Sequence, residues 1–188
     1  VVGYDPSEEA VQALMEHGAT GASSLGELVE KLKAPRAAWV MVPSGETTER
    51  TIPALAEPMS PGDTIIDGGN SNYKDSVRRA AELRERGLSF LDAGTSGGIW
   101  GLKEGYCLMV GGEVEAFRAL EPLFQTLAPG TDHGYGHVGP AGAGHFVKMV
   151  HNGIEYGDMR RICEACNWVR DGLGMSADEM RKMFAEWN

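Results

Sequence analysis

Short apolar runs alternate with longer amphipathic segments over the first two thirds of the 188-residue chain. The apolar runs predict strands at 1–5, 37–42, 64–67, 88–93 and 105–110. Between them, apolar residues recur with the period of a helix, at about 7–17, 25–32, 47–56, 74–86 and 114–127. Strands that alternate with helices predict an α/β fold, in which helices cover both faces of a parallel sheet.

The pattern changes from Pro140 onwards. Residues 143–170 contain no proline and predict one long helix. Ser176 and Glu179 have the spacing of a capping box, which predicts the start of a second helix. We therefore expect an α/β domain at 1–138, followed by the start of an all-α domain at 139–188.

Charge and cysteine content narrow the function classes. The formal net charge of −10 argues against nucleic acid as a partner, because such binding needs a basic surface. No apolar run is long enough to span a bilayer. A low, odd cysteine count indicates a reducing cytoplasm. Cys163 and Cys166 have C-x-x-C spacing, but a zinc site would need a second pair. We interpret them as ordinary helix thiols and expect no metal, with a redox pair as the alternative.

Asp5 follows the first predicted strand. In a dinucleotide-binding, Rossmann-like fold, an acidic residue at the end of the second strand holds the ribose hydroxyls. Asp5 fits that position if the first strand and its Gly-rich turn precede Val1, so that the chain lacks them. The alternative is that Asp5 is only an N-cap, with Pro6 in the first turn. No arginine follows Asp5 to receive a 2′-phosphate, which favours NAD over NADP.

Three small-residue loops follow consecutive predicted strands at 42–45, 67–71 and 96–98. Loops at the carboxyl ends of parallel strands line the ligand crevice of open α/β sheets. Paired glycines in the second and third loops allow close backbone approach, and Asn70 offers a donor and an acceptor. The amides of 96–98 could bind an anion such as a carboxylate. Ordinary turns remain the alternative for each loop.

The long predicted helix carries four polar residues on one face. Lys148, His151, Asn152 and Glu155 are spaced i, i+3, i+4 and i+7, among apolar or small neighbours. This mixture is typical of a functional face. The alternative is a solvated face with a Lys/Glu pair.

These stretches together resemble the 6-phosphogluconate dehydrogenase family. The resemblance rests on DGGNS at 67–71, SGG at 96–98 and GHFVKMVHNGIEYGDM at 144–159. The stretch 95–102 is similar to the shorter, bacterial-type branch, which often prefers NAD. The longer branch usually has acidic residues where this chain has Ile99 and Trp100.

The resemblance implies an NAD(P)-dependent enzyme of the pentose phosphate pathway that oxidises and decarboxylates 6-phosphogluconate to ribulose 5-phosphate. It implies Lys148 as the general base and Glu155 as the acid that protonates C1 of the enediol. It implies NAD as cofactor, with NADP as the other option, and a homodimer or homotetramer when full length. The implied contacts to the sugar acid are Asn70, Ser96, Gly97, Gly98, His151, Asn152 and Tyr156. The implied contacts to the cofactor are Asp5, Val42, Pro43, Ser44 and Asn70. The residues that bind the substrate phosphate are expected beyond Asn188.

Two other interpretations stay open. A β-hydroxyacid dehydrogenase of the 3-hydroxyisobutyrate or tartronate-semialdehyde type shares the Ser-Gly-Gly loop and the helix lysine. Such enzymes carry Asn three residues after the lysine, whereas this chain has His151. The other alternative is a non-catalytic Rossmann module that senses NAD, which would not need Lys148 and Glu155 on one face.

Overall fold

The computed structural model describes residues 1–187. The chain divides into two compact units, Val1–Lys148 and Met149–Asn188. The first unit is α/β, and the described part of the second is helical. One long helix, Ala143–Leu173, begins in the first unit and ends in the second.

The strands and helices follow the predicted alternation. The strands are β1 (Val2–Gly3), β2 (Thr20–Gly21), β3 (Ala37–Val40), β4 (Thr64–Asp67), β5 (Ser89–Ser96), β6 (Cys107–Gly112) and β7 (Tyr135–Gly139). The helices are α1 (Glu8–Glu16), α2 (Leu25–Lys31), α3 (Glu46–Ala56), α4 (Tyr73–Arg84), α5 (Gly101–Glu104), α6 (Val114–Ala119), α7 (Glu121–Leu127), α8 (Ala143–Leu173) and α9 (Ala177–Trp187). A short 3₁₀ helix, Gly98–Trp100, precedes α5.

The main sheet has the order β3-β4-β5-β6-β7, and β1 pairs with β2 in a separate parallel pair. The α/β fold with a mainly parallel sheet is thus confirmed. One pair differs, because β5 and β6 are antiparallel, with Thr95 opposite Leu108. Only residues 97–106 connect these two strands. Such a connection is shorter than the crossover of a dozen or more residues that parallel neighbours require.

Several element bounds differ from the prediction. Strand β1 ends at Gly3, so that Asp5 lies beyond it. The helix predicted over 114–127 is two helices, α6 and α7, because the chain breaks at Leu120 and restarts with Pro122 in the first turn of α7. Strands β2 and β7 were not predicted.

The two faces of the central strands bury separate apolar clusters. Ile65 packs in a cluster with residues of α2, α3 and α4, such as Leu55. Its neighbour Ile66 packs in the other cluster, with Phe117 and Phe124 of α6 and α7. Successive side chains of a strand point to opposite faces. The helices therefore cover both faces, as predicted.

The second unit contains the remainder of α8 and helix α9. The predicted capping box at the start of α9 is formed: the Ser176 N–H donates to Glu179 Oε2 over 2.8 Å, and the Glu179 N–H donates to Ser176 Oγ over 3.4 Å. Within residues 1–187, no helix combines the length and the apolar character that crossing a membrane would require.

Candidate functional site

Two loops touch at the carboxyl edge of β3 and β4. A side chain at Gly69 would place its Cβ 3.1 Å from the Val42 carbonyl oxygen, so the two loop backbones lie against each other. A Cβ at Gly68 would overlap the Trp39 indole nitrogen, at 2.0 Å. Thr48 Oγ1 donates to the Pro43 carbonyl over 3.0 Å and holds the first loop. The two loops that the sequence singled out are therefore neighbours.

A buried ion network supports the second loop from below. Asp67 is fully buried, and its Oδ1 accepts the Gly69 N–H over 3.1 Å. Arg79, only 3% exposed, donates to Asp67 Oδ2 over 3.2 Å and also pairs with Glu49. Burial raises the pKa of the Glu49 carboxyl, but hydrogen bonds and charges from Arg79 and Arg78 outweigh burial and lower it overall. The network therefore anchors the start of the second loop through the Gly69 backbone.

The side chains predicted to contact a ligand lie on the outer side of these loops. Ser44 and Asn70 are exposed, and Val42 is half-buried against the core. Sequence reasoning identified these loop residues but not Asp67 and Arg79 as their support. The signal was present, because a charged residue at the end of a fully buried strand needs a buried partner.

Asp5 lies two residues beyond the end of β1, which belongs to the smaller sheet. Its Oδ1 accepts the Ser7 N–H over 2.8 Å, and its side chain is exposed. Ser7 is the N-cap of α1, because its Oγ accepts the Ala10 N–H over 3.4 Å. The alternative that Asp5 itself caps this helix is therefore wrong.

Lys148 meets the third loop. Its Nζ donates to Ser96 Oγ over 3.3 Å, where β5 ends. Gly97 and Gly98, which follow, are exposed, and the left-handed φ of +52° at Gly98 suits a residue without a side chain. The structure thus joins two of the predicted site residues, Lys148 and Ser96, within the first unit.

Helix α8 approaches the sheet at backbone distance. A Cβ at Gly94 would lie 2.5 Å from the Cβ of Lys148. A Cβ at Gly144 would lie 2.3 Å from the Asp92 carbonyl oxygen and 2.4 Å from that of Met109. The absence of a side chain at Gly94 in β5 and at Gly144 in the first turn of α8 therefore permits this close packing.

A second buried network, missed in the sequence, lies at this crossing. Asp92 of β5 is fully buried, and its carboxylate accepts the N–H groups of Gly142 and His145. The His145 ring, also buried, lies 2.8 Å from Ser76 Oγ through its Nδ1. An acidic residue within an otherwise apolar strand was the signal for this network.

The second unit carries the other polar residues of the predicted face. His151 Nδ1 lies 3.8 Å from Glu155 Oε2, and both side chains are about half exposed. Tyr156 is exposed and Asn152 is partly buried. Helix α8 is continuous over all of these positions. Cys163 and Cys166 also lie in this helix and are free thiols.

Residues 1–139 match the family model described as the NAD binding domain of 6-phosphogluconate dehydrogenase, and residues 144–188 match that of the 6-phosphogluconate dehydrogenase C-terminal domain. The decarboxylating 6-phosphogluconate dehydrogenase of Haemophilus influenzae is 45% identical over 100% of this chain. The match covers 40% of that relative, so the chain spans well under two thirds of its length.

Solved structures give the same picture. A 6-phosphogluconate dehydrogenase of Plasmodium falciparum, studied with its cofactor NADP+ and its substrate 6-phosphogluconate, superposes with a TM-score of 0.90 at 30% identity, over 100% of this chain and 42% of that one. The 3-hydroxyisobutyrate dehydrogenase of Mycobacterium tuberculosis gives 0.83 at 27% identity, over 99% and 62%. One model of this family matches residues 1–139 and a second matches residues 144–188, so the chain belongs to the 6-phosphogluconate dehydrogenase family.

Proposed function

We propose that the protein oxidises and decarboxylates 6-phosphogluconate to ribulose 5-phosphate and carbon dioxide, with reduction of NAD(P). The observation that carries this proposal is the contact between Lys148 Nζ and Ser96 Oγ, 3.3 Å apart, at the carboxyl end of β5. A lysine beside a hydroxyl and an exposed Gly-Gly turn can accept a proton from a bound sugar hydroxyl. Membership of the family supports the same reaction.

The cofactor would bind along the edge of β3 and β4. The two loop backbones touch at Val42 and Gly69, and the neighbouring Ser44 and Asn70 are exposed. We assign Val42, Pro43, Ser44 and Asn70 to this site, with Asp5 on the adenosine ribose. A bound nicotinamide dinucleotide would supply the hydride acceptor. Asp5 would repel a 2′-phosphate, so we propose that NAD is preferred to NADP.

Lys148 would begin the reaction as general base. It takes the proton of the C3 hydroxyl while the hydride leaves C3, and the product is a 3-keto acid. The ammonium that forms then donates a hydrogen bond to the C3 ketone. When the C1–C2 bond breaks and carbon dioxide leaves, its electron pair moves towards that oxygen, where the Lys148 ammonium stabilises the developing charge.

Glu155 would complete the reaction as general acid. Decarboxylation leaves an enediolate, and one proton on its terminal carbon, which was C2 of 6-phosphogluconate and is C1 of the product, gives ribulose 5-phosphate. Glu155 lies two turns after Lys148 on α8, and His151 lies between them, 3.8 Å from the Glu155 carboxylate. We therefore assign the proton transfer to Glu155.

We propose that the sugar acid is held by the residues that the family resemblance implies. The proposed contacts are Asn70, Ser96, Gly97, Gly98, His151, Asn152 and Tyr156. We keep 1–138 as the cofactor domain and 139–188 as the start of the substrate domain. A homodimer or homotetramer in the cytoplasm is our proposal for the whole protein.

A panel of three substrates tests this proposal against the alternative of a β-hydroxyacid dehydrogenase. The protein, expressed as its natural gene encodes it, is assayed for NAD reduction with 6-phosphogluconate, 3-hydroxyisobutyrate and glycerate. We expect reduction with 6-phosphogluconate alone. Turnover of 3-hydroxyisobutyrate or glycerate instead would favour the β-hydroxyacid class. NAD binding without turnover of any of the three would favour the sensing module.

A further inference from the structure

Helix α8 begins at a residue that cannot cap it. Gly142 occupies the N-cap position, because its carbonyl accepts the Phe146 N–H over 3.0 Å. Glycine has no side chain to accept the free N–H groups of the first turn. A side chain could not be added there, since its Cβ would lie 2.7 Å from Val77 and 2.9 Å from the Tyr73 carbonyl.

Asp92 performs this capping from a neighbouring strand. Its Oδ1 accepts the Gly142 N–H over 2.6 Å, and its Oδ2 accepts the His145 N–H, the third amide of the helix, over 2.8 Å. These are the two amides that a capping box satisfies with two separate side chains. The carboxylate also faces the positive end of the helix dipole. One fully buried group thus ties β5 to the start of α8.

The His145 ring adds a third element to the junction. Its side chain is 1% exposed, and its Nδ1 lies 3.9 Å from Asp92 Oδ2. The same nitrogen lies 2.8 Å from Ser76 Oγ of α4. The His145 ring therefore links α4 to the junction of β5 and α8.

Lys148 follows this junction by less than one turn of helix. Its hydroxyl partner, Ser96, lies on the same strand as Asp92, at the end of β5. Between them Gly94 leaves no spare room, because a Cβ there would lie 2.5 Å from that of Lys148. Asp92 thus joins the two elements that carry the two atoms of the Lys148–Ser96 contact.

We propose that Asp92 is a positioning residue for Lys148: by capping α8 from β5, its carboxylate holds the lysine against Ser96. The catalytic consequence rests on the proposed function, whereas the positioning itself does not. Asp92→Asn keeps the side-chain shape and one accepting oxygen but turns an amide donor towards the other N–H. We expect the lysine to shift, and displacement by about an ångström can cost about 10²-fold in rate.

The first readout follows Lys148 itself. Wild type and Asp92→Asn are labelled briefly with acetic anhydride, and the extent at each lysine is read by peptide mass spectrometry. We expect Lys148 to label severalfold faster in Asp92→Asn, while Lys182, exposed on α9, labels equally in both. The matched control is Asp63→Asn, because Asp63 is also buried and also accepts two backbone N–H groups, from Arg36 and Ser60. We expect that control to lose stability without any change in the labelling of Lys148.

The second readout is the rate. In Asp92→Asn we expect kcat with 6-phosphogluconate to fall about 10- to 100-fold while the dissociation constant of NAD is unchanged. In Asp63→Asn we expect both kcat and the dissociation constant of NAD to stay at the wild-type values. If wild type does not turn over 6-phosphogluconate but Lys148 labelling still rises in Asp92→Asn, the proposed function fails and the positioning role stands.

Two results would overturn the positioning role. One is unchanged Lys148 labelling in folded Asp92→Asn. The other concerns Ser76→Ala, which replaces Asp92→Asn if that variant does not fold. Ser76→Ala removes only the hydroxyl that holds the His145 ring beside the carboxylate. We expect a smaller rise in Lys148 labelling in that variant, and labelling equal to wild type would contradict the proposal.

Discussion

Lys148 is the residue on which the proposed chemistry depends most. It makes a hydrogen bond to Ser96 and stands on the helix that packs against β5 at backbone distance. We expect Lys148→Met to lower kcat by about 10²–10⁴-fold, the usual effect of removing a general base, while NAD binding stays nearly intact. Lys182→Met, on an exposed position of α9, is the matched control. Near-normal turnover by Lys148→Met would contradict the mechanism.

Glu155 is predicted to act after the oxidation. Gln at this position can still donate a hydrogen bond but cannot transfer a proton to C1. In Glu155→Gln we therefore expect the single-turnover oxidation to be slowed much less than the release of protonated product. The measurement compares the NADH burst with deuterium incorporation at C1 from heavy water. Unchanged turnover together with unchanged C1 labelling would exclude Glu155 as the acid.

Asp63 gives a residue-scale prediction that concerns stability alone. Burial raises its carboxyl pKa, but the N–H groups of Ser60 and Arg36 and the Arg36 guanidinium outweigh burial, so the pKa lies below its ordinary 3.8. A carboxyl whose pKa is lower in the folded state than in the unfolded state stabilises the fold at pH values above its unfolded-state pKa. This stabilisation is lost as the pH falls through the folded-state pKa. We expect Asp63→Asn to lose about 2 kcal/mol at pH 7, and progressively less below about pH 4.

Urea denaturation of wild type and Asp63→Asn at pH 7 and at pH 3 measures how the loss of stability depends on pH. Asp171→Asn is the control, because Arg170 also lowers the pKa of the Asp171 carboxyl, but this pair is exposed to solvent, where screening removes most of its effect on stability. A deficit of Asp63→Asn that is equally large at pH 3 and pH 7 would contradict the assigned role.

At the scale of elements, the predictable features were those encoded locally. Helix periodicity predicted most helices, and the Ser176–Glu179 spacing predicted a capping box that is formed. The two-residue strand β2 is too short to show alternation. Strand β7 is rich in glycine and polar residues at the sheet edge, which hides it. Whether β6 runs antiparallel depends on a connection that periodicity does not describe.

The candidate site shows the same division. The loops and Lys148 were visible as short motifs, whereas Asp67–Arg79 and Asp92–His145 join residues distant in sequence. The partner of a buried charge can be identified only once the topology is known. The strand patterns indicate only that Asp67 and Asp92, as buried charges, need a partner.

The crossing of α8 over β5 and β6 provides the prediction for this scale. A methyl group at Gly144 would overlap two strand carbonyls, at 2.3 and 2.4 Å. Backbone cannot yield as a flexible side chain does, so we expect Gly144→Ala to cost about 3 kcal/mol. The matched control is Gly157→Ala in the same helix, where a Cβ meets nothing within 4 Å. Because alanine favours helix more than glycine does, we expect this variant to gain up to about 1 kcal/mol of stability. Chemical denaturation of both variants measures the contrast, and equal effects would contradict the close-packing account.

At the scale of the whole molecule, the chain and its proposed substrate carry charges of the same sign. The chain is acidic overall, at −10, and its proposed substrate is an anion. The attraction must therefore come from local groups such as Lys148 and the exposed amides of the Ser96 loop.

The stoichiometry of the reaction tests the central claim most directly. The protein encoded by the natural gene is given 6-phosphogluconate labelled with ¹⁴C at C1, and NADH and released ¹⁴CO₂ are measured together. The account predicts one carbon dioxide for each NADH in the wild type, and rates of formation of both products that are about 10²- to 10⁴-fold lower in Lys148→Met. NADH formed without labelled carbon dioxide would show a simple dehydrogenase and contradict the account.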